Sequence, residues 1–513
     1  MLIIADCMKK ITPSREEFLT AVSNGRIIPL HAELDAAAVT PLSAVQDLRP
    51  LGHPVLLESA RVNGRTGQYS FVTADPYLIF RSQGDTVDLN WTVAPQGKYG
   101  KRASLKRKPL PKLRELMANY RTERVEGLPP FTGGAVGFFS YEFVHQIEKL
   151  PRTALDDLGT PEACFLFVDL VVAFDHLAGR VWVIVNPGAR EQEMGFRKPE
   201  PDQWGRLYDE AAERLTGAAE KLVARAGHRS LPEQSAPPRV RLEPSLTQQR
   251  FESMVRRCKE YIAAGDIYQA NLSQRFSAAI GGLDPLGLYA VLRAINPSPF
   301  AAYAEFDGLT VVSSSPERLV RLTGRIADTR PIAGTRRRGR DFSETRDLTA
   351  ELLTNEKERA EHIMLLDLER NDLGKVCAYG TVSVDELMVV EDYSHVIHIV
   401  SNVRGELAPG RDGFDLIRAV FPGGTITGVP KVRCMEIIDE LEPVARGLYT
   451  GSLGYLANTG DLDLNIIIRT FIIKDGVAHV QTGAGIVADS DPAREYAETL
   501  EKAEALANAL EKL

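Results

Sequence analysis

Strand-like and helix-like segments both abound in this chain, yet they never settle into the strict strand–helix–strand rhythm of a doubly wound sheet. That irregular order is the strongest constraint on the fold, and it points to an α+β architecture. Before residue 185 the texture is mainly β. PVLLESA (54–60), GQYSFVTADP (67–76) and FLFVDLVVAFD (165–175) read as strands, with turn signals at VNGRTG (62–67) and FTGG (131–134). Residues 202–226 read as a polar amphipathic helix. Residues 227–246, GHRSLPEQSAPPRVRLEPSL, hold four prolines and little periodicity, as a linker does. Beyond them, 247–266 reads as a helix, DIYQANLSQRFSA (266–278) as a strand and 283–296 as a helix. AAYAEFDGLTVVSSSP (301–316) reads as a hairpin turning at Asp307-Gly308, 346–372 as one long helix, 449–487 as strands and 494–513 as a closing helix. At 513 residues the chain exceeds one ordinary core. These signals divide it into a β-rich region over 1–226, the linker over 227–246 and a second region over 247–513.

Charge and apolar patterning narrow the partners. The net charge is −8, the opposite of what a nucleic-acid binder carries. No apolar run approaches the roughly 18 residues that a membrane helix needs. Lys9 and Lys10 follow the first apolar stretch instead of preceding it, unlike a signal peptide. No nucleic acid, no membrane and a cytoplasmic location are therefore expected. The five cysteines are scattered without a CxxC pair and read as reduced core thiols. GKYGKRASLKRKPLPK (97–112) concentrates basic residues, as a solvated loop or as a contact for an acidic surface.

Two glutamate pairs share one spacing. Glu358 and Glu361 lie three apart on a helical pattern and so project from one face. Glu495 and Glu498 repeat this in the last helix, with Lys502 one turn further on. Oxygen donors without thiols or imidazoles suit a hard cation such as Mg2+. E-x-x-E also occurs on many solvated helices; apolar HIMLLDL after one pair and glycine-rich TGAGIVADSDP before the other argue for inward faces. FPGGTITGVPK (421–431) and QTGAGIVADSDP (481–492) are small-residue loops, either tight turns or cradles in which backbone N–H groups approach a carboxylate. Arg469 in NIIIRTFII offers a bidentate clamp and Tyr449 a hydroxyl. His395 and His398 would face opposite sides of a strand, and one lining a cleft serves as acid or base near neutral pH.

TRPIAGTRRRG (329–339), EKERAEHIMLLDLERNDLG (356–374), DYSHVIHIVSNV (392–403), FPGGTITGVPKVRCMEIIDELEP (421–443) and TGAGIVADSDPAREYAETLEKA (482–503) resemble the chorismate-utilising enzymes, which include the synthase components of anthranilate synthase and aminodeoxychorismate synthase. The likeness is very specific from about 247 to 511; LLESA and FTGGAVGFFSYE match more loosely. It implies two packed antiparallel β-sheets with helices outside, as in anthranilate synthase component I. It implies that Glu361 and Glu498 bind magnesium directly, with Glu358 and Glu495 in support. Chorismate would be held by Tyr449, Arg469 and the Gly483-Ala484-Gly485 stretch, beside Ala333, Gly334 and Thr335. His398 would assist departure of the hydroxyl group, Lys502 would sit near the metal-bound carboxylate, and Thr425 would line the pocket. A separate glutamine amidotransferase subunit would supply ammonia.

The product is less constrained. Many aminodeoxychorismate synthases carry P-I-K-G-T, whose lysine attacks the ring; Ala333 stands in that place and cannot be a nucleophile. Ammonia itself would then attack carbon 2. Loss of pyruvate gives anthranilate, whereas a second ammonia at carbon 4 gives aminodeoxychorismate. FPGGTITG, with Gly423, and LYTGSLGYLANTGDLDLNIIIRT resemble an aminodeoxychorismate synthase subgroup that also has PIAGT. NPSPFAAYAEF (296–306) lacks the Tyr-Met that anthranilate synthases often use to bind inhibitory tryptophan. Glu58, Ser59, Pro299 and Phe300 would still wall a tryptophan pocket. Aminodeoxychorismate is the favoured product, with anthranilate as the alternative. An inactive regulatory paralogue and an isochorismate or salicylate synthase are the remaining readings.

Overall fold

The structure, a computed structural model, describes residues 8–35, 39–60, 67–92, 101–192, 202–224, 241–337, 339–392 and 396–513. Residues 62–66 of the VNGRTG turn, 97–100 of the basic stretch, 227–240 of the linker, Cys7 and His395 lie outside the described residues, as do the side chains of Ala333 and Thr335.

Two large antiparallel sheets dominate. Each combines strands from before the linker with strands from after it. In the first sheet the two halves join where Val55–Glu58 pairs with Phe300–Phe306, in the register Glu58 opposite Ala301. In the second they join where Gly134–Phe139 pairs with Ser452–Ala457. The regions 1–226 and 247–513 therefore mark a change of sequence texture and not two separate cores. The linker ends earlier than its composition suggests: Glu243–Pro244 forms an edge strand on Gln269–Ala279, a place where proline costs no ladder hydrogen bond.

The inner faces of the sheets meet in an aromatic layer. Phe131 stacks on Tyr455 at 4.7 Å, and Phe138 meets Phe306 edge-on at 4.9 Å. Helices cover both outer faces, so strands such as Ala163–Val168 and Leu170–Asp175 are buried on both sides. That double burial explains why 165–175 reads as one apolar run. The run is in fact two strands in different sheets, divided at Asp169. Asp169 sits at this crossing because two guanidiniums hold it. Arg190 reaches it at 2.8 Å and Arg214 at 3.3 Å. Burial pushes its carboxyl up, but the two arginines outweigh burial and hold it below the ordinary aspartate value.

The long helix expected over 346–372 is likewise two, Phe342–Thr354 and Glu356–Gly374. Asn355 breaks it, since its side chain accepts from the N–H of Glu358 at 3.0 Å and so starts a new helix. The basic stretch contributes an exposed edge strand, Arg102–Lys106. Cys164, Cys258, Cys377 and Cys434 are buried free thiols. Among the described residues no helix is long and apolar enough to cross a membrane.

Replacing Asp169 by Asn removes a buried charge held by two half-buried arginines, which Asp75 also pairs, and is expected to lower the urea unfolding free energy at pH 7 by about 3 kcal/mol. The folded pKa is depressed, so this contribution is present above the unfolded aspartate pKa and fades as pH falls through the folded one. Equal stability of the variant and the native chain at pH 7 contradicts this account of the crossing.

Candidate active site

The strand Val477–Ile486 is the floor of the site. It carries Gly483 and Gly485 on one face, while the methyl of Ala484 points the other way, into the core. Ala484 can thus offer a ligand only its backbone. Space above the two glycines is filled from three sides. A Cβ at Gly483 would stand 2.8 Å from the Tyr449 hydroxyl and 2.9 Å from Asn271 Oδ1. A Cβ at Gly485 would stand 2.7 Å from Gln269 Nε2. Small residues are needed here because polar groups of the neighbouring segments lie against the backbone.

Both acidic helices border this strand. Helix Glu356–Gly374 approaches through Gln269, whose Nε2 donates to Glu361 Oε1 at 3.4 Å. The closing helix, Pro492–Glu511, approaches through Lys502. Its ammonium donates to the carbonyl of Gly483 at 2.9 Å and pairs with Glu498 at 2.7 Å. Glu361 and Glu498, far apart in sequence, thereby flank the same glycine strand. Glu495 lies one turn before Glu498. Glu358 pairs with Arg336 at 3.0 Å. Among the described residues no three or more His, Cys, Asp or Glu side chains stand together as a ready cage for a metal. A cation that keeps its waters and takes only one or two carboxylates needs no such cage. The oxygen donors of Glu361 and Glu498, both only partly buried, fit that kind of ion better than a zinc-like one.

The second wall comes from the other sheet. Strand Ile332–Arg337 carries the PIAGT motif and pairs with Val396–Glu406, with a register shift between Ala333 and Thr335. Gly334 sits at the shift with φ +61°, and a Cβ there would lie 3.1 Å from Glu358 Oε2. The bulge turns the Gly334 carbonyl to His398, 3.3 Å from Nδ1. Burial and the positive Arg469 push the His398 imidazolium pKa down to about 4, against the pull of the Gly334 carbonyl and Glu391. His398 is therefore neutral at pH 7. A proton on Nδ1 satisfies the Gly334 carbonyl and leaves Nε2 as an acceptor.

A buried acid that the motifs did not single out stands between these walls. Glu317, in SSSPER, is buried and its pKa is pushed up to about 8 by burial, with Glu369 adding repulsion. Its carboxyl accepts from Thr425 Oγ1 at 2.8 Å and from the N–H of Ile332. It thus links the PIAGT strand to the glycine-rich 421–431 loop. Arg469 lies close enough to influence both Glu317 and His398, and holds a left-handed backbone at φ +51°. A left-handed arginine costs backbone strain that the surrounding structure must hold in place. The loop itself is clamped from below. Lys431 donates to the carbonyls of Val420 and Pro422 at 3.0 and 2.8 Å and pairs with Asp372.

Gln269 and Asn271 were also missed, although the sequence carries a signal. In DIYQANLSQ the polar residues Gln269, Asn271 and Ser273 recur with a period of two, and all three are buried. Buried polar groups need partners, and these three find theirs in Glu361, the Ile426 carbonyl and Glu442.

The four residues read as a tryptophan pocket come together in a different place. Glu58, Ser59, Pro299 and Phe300 line a cavity of about 390 Å³ that also holds Arg318 and Tyr455. Glu58 is already engaged by the Tyr289 hydroxyl at 2.5 Å and Arg293 Nε at 2.6 Å. Arg318 lies 5.0 Å from the Phe300 ring centroid.

This combination of fold and site defines a class. The sequence profile of chorismate binding enzymes matches residues 64–508, and the chain belongs to that family. Relatives named for two different products are among those it matches. It is 39% identical over 503 residues to anthranilate synthase component 1 of Acetivibrio thermocellus, covering 97% of this chain and 98% of that protein. It is 43% identical over 460 residues to aminodeoxychorismate synthase component 1 of Bacillus subtilis (strain 168), covering 90% and 92%. Among solved structures, anthranilate synthase component I from Streptococcus pneumoniae TIGR4 superimposes with a TM-score of 0.73 at 32% identity, over 87% of this chain and 94% of that one.

The imidazole assignment is open to a direct check. In NMR of histidine-labelled protein, the His398 ring is expected to stay neutral from pH 8 down to pH 5, with protonation only near the value of about 4 set by its burial. A His398 titration near the ordinary value of about 6.5 contradicts it.

Proposed function

We propose that this chain is the synthase subunit of a two-component enzyme that aminates chorismate with ammonia from a glutamine amidotransferase. The observation that carries the proposal is the flanking of one glycine strand by Glu361 and Glu498, beside Tyr449, in a member of the chorismate binding family. The favoured product is 4-amino-4-deoxychorismate. The chain's glycine-rich loop, with Gly423, and the absence of Tyr-Met after Asn296-Pro297-Ser298-Pro299 support it. The second reading is anthranilate plus pyruvate, favoured by the match of nearly full length to the Acetivibrio protein.

Each side chain then has a task. Tyr449, Arg469 and the backbone of Gly483, Ala484 and Gly485 hold the enolpyruvyl carboxylate. Glu361 and Glu498 hold Mg2+, with Glu358 and Glu495 behind them, and a bound magnesium would grip the ring carboxylate and ease departure of the leaving group. Glu317 is a neutral carboxylic acid at pH 7 and supplies the proton with which the carbon-4 hydroxyl leaves as water. His398 accepts a hydrogen bond at Nε2 from the incoming ammonia. Thr425 orients Glu317. Lys502 keeps Glu498 and the Gly483 carbonyl in register. Ala333 offers no nucleophile where a lysine would form a covalent adduct, so ammonia itself attacks the ring. The 390 Å³ cavity, walled by Glu58, Ser59, Pro299 and Phe300, can seat a tryptophan, while the missing Tyr-Met argues against inhibition by it.

The test is to incubate the protein with chorismate, magnesium and ammonium and to identify the product by mass. An amine that becomes p-aminobenzoate when a lyase is added is expected; fluorescent anthranilate selects the second reading, and no amination at all overturns both. Glu361→Gln and Glu498→Gln are each expected to abolish turnover with the fold intact. Full activity without magnesium contradicts the assigned metal site.

A further inference from the structure

Behind the cradle lies a buried guanidinium that the reaction as described does not use. Arg446, 3% exposed, stands in the connection between helix Lys431–Leu441 and strand Ser452–Ala457. Its donors reach in several directions. Nε and Nη2 fork onto Glu442 at 2.9 and 2.7 Å. Nη2 also donates to the carbonyl of Asn271 at 2.6 Å. Nη1 donates to the carbonyl of Ile426 at 3.0 Å and to Thr450 Oγ1 at 3.3 Å. Its plane lies 5.6 Å from the Tyr449 ring centroid and 4.9 Å from that of Tyr141.

One side chain thus ties together the three segments that build the cradle: the strand of Asn271, the glycine-rich loop at Ile426 and the Tyr449-Thr450 turn. Asn271 completes the link. Its carbonyl is held by Arg446, its Nδ2 donates to the same Ile426 carbonyl at 3.2 Å, and its side chain hydrogen-bonds the Tyr449 hydroxyl over Gly483. Glu442 is itself fixed by the N–H and Oγ of Ser273, both at 2.8 Å. On the other side Glu142, from the N-terminal region, accepts from the N–H of Arg446 at 2.9 Å.

An ion pair that served only stability would need Glu442 and nothing more, and well-packed apolar residues often replace such pairs without loss. The reach to two carbonyls on separate site segments needs the planar fork of an arginine. We infer that Arg446 is a positioning residue for the anion cradle, acting through Asn271 and Tyr449 to set the phenol hydroxyl over Gly483. The inference rests on the proposed function and deepens it. Lysine at this position keeps the charge beside Glu442 but cannot span Glu442, Asn271 and Ile426 together.

The test is a double-mutant cycle on the full chain with magnesium and ammonium, using Arg446→Lys and Tyr449→Phe. Arg446→Lys is expected to raise KM for chorismate roughly tenfold, the equivalent of one well-placed hydrogen bond. In the Tyr449→Phe background the same change is expected to have little further effect, because the group it positions is gone. Additive effects, or an unchanged KM, overturn the inference. If the lysine variant does not fold, Arg446→Met with Glu442→Gln leaves no orphaned charge and is read in the same cycle. A native chain that neither binds nor converts chorismate overturns the proposed function and this inference with it. A normal native enzyme with an additive cycle overturns this inference alone.

Discussion

The architecture depends on the closeness with which polar side chains approach the backbone at Gly483 and Gly485. Two helices distant in sequence, a tyrosine and a buried amide all converge there, and any Cβ would stand within 3 Å of one of them. The approach is polar on every side. Lys502 takes the Gly483 carbonyl, the Tyr449 hydroxyl and Asn271 lie over its α-carbon, and Gln269 covers Gly485. A bare strand lined by donors is a natural seat for a carboxylate. The floor and the PIAGT wall both come from strands after the linker, one in each sheet, and the strands before the linker extend those two sheets.

Buried charge is distributed unevenly through the molecule, and the unevenness marks the site. Asp169 and Arg446 are ionised and fully partnered, and they hold a crossing and a loop. Glu317 is buried without a cation at salt-bridge distance among the described residues and is pushed up to about 8. His398 is pushed down to about 4 by burial with Arg469 nearby. A proton-carrying acid and a proton-free base near one arginine are the arrangement that acid–base chemistry at neutral pH requires. The cavity walled by Glu58, Ser59, Pro299 and Phe300, by contrast, has its glutamate held in an ion pair with Arg293.

Much of this was legible in the sequence, for identifiable reasons. The E-x-x-E faces, the glycine-rich loops and Tyr449 announce themselves by spacing and by residue type. The misreadings are equally physical. Residues 165–175 look like one strand because both faces of each strand are buried, and only Asp169 in the middle marks the change of sheet. The 346–372 helix breaks because Asn355 caps, a signal outweighed by strong helix formers on both sides. Glu317 was passed over because its role comes from burial, which no local pattern shows. Arg446 lies in an irregular connection and gains its meaning from carbonyls far away in sequence. Ala484 belongs to the right strand but faces the core, a matter of register that only pairing settles.

The central claim is that the glycine strand is the seat of the substrate's carboxylate, and Gly485→Ala tests it most directly. Gly485 has no positive φ, and its added methyl would meet only the end of the Gln269 side chain, so the fold should hold. Chorismate binding measured by calorimetry in magnesium is predicted to weaken at least roughly tenfold, the loss of one good interaction, with an unchanged circular dichroism spectrum. Undiminished chorismate affinity in a folded Gly485→Ala protein would contradict the account.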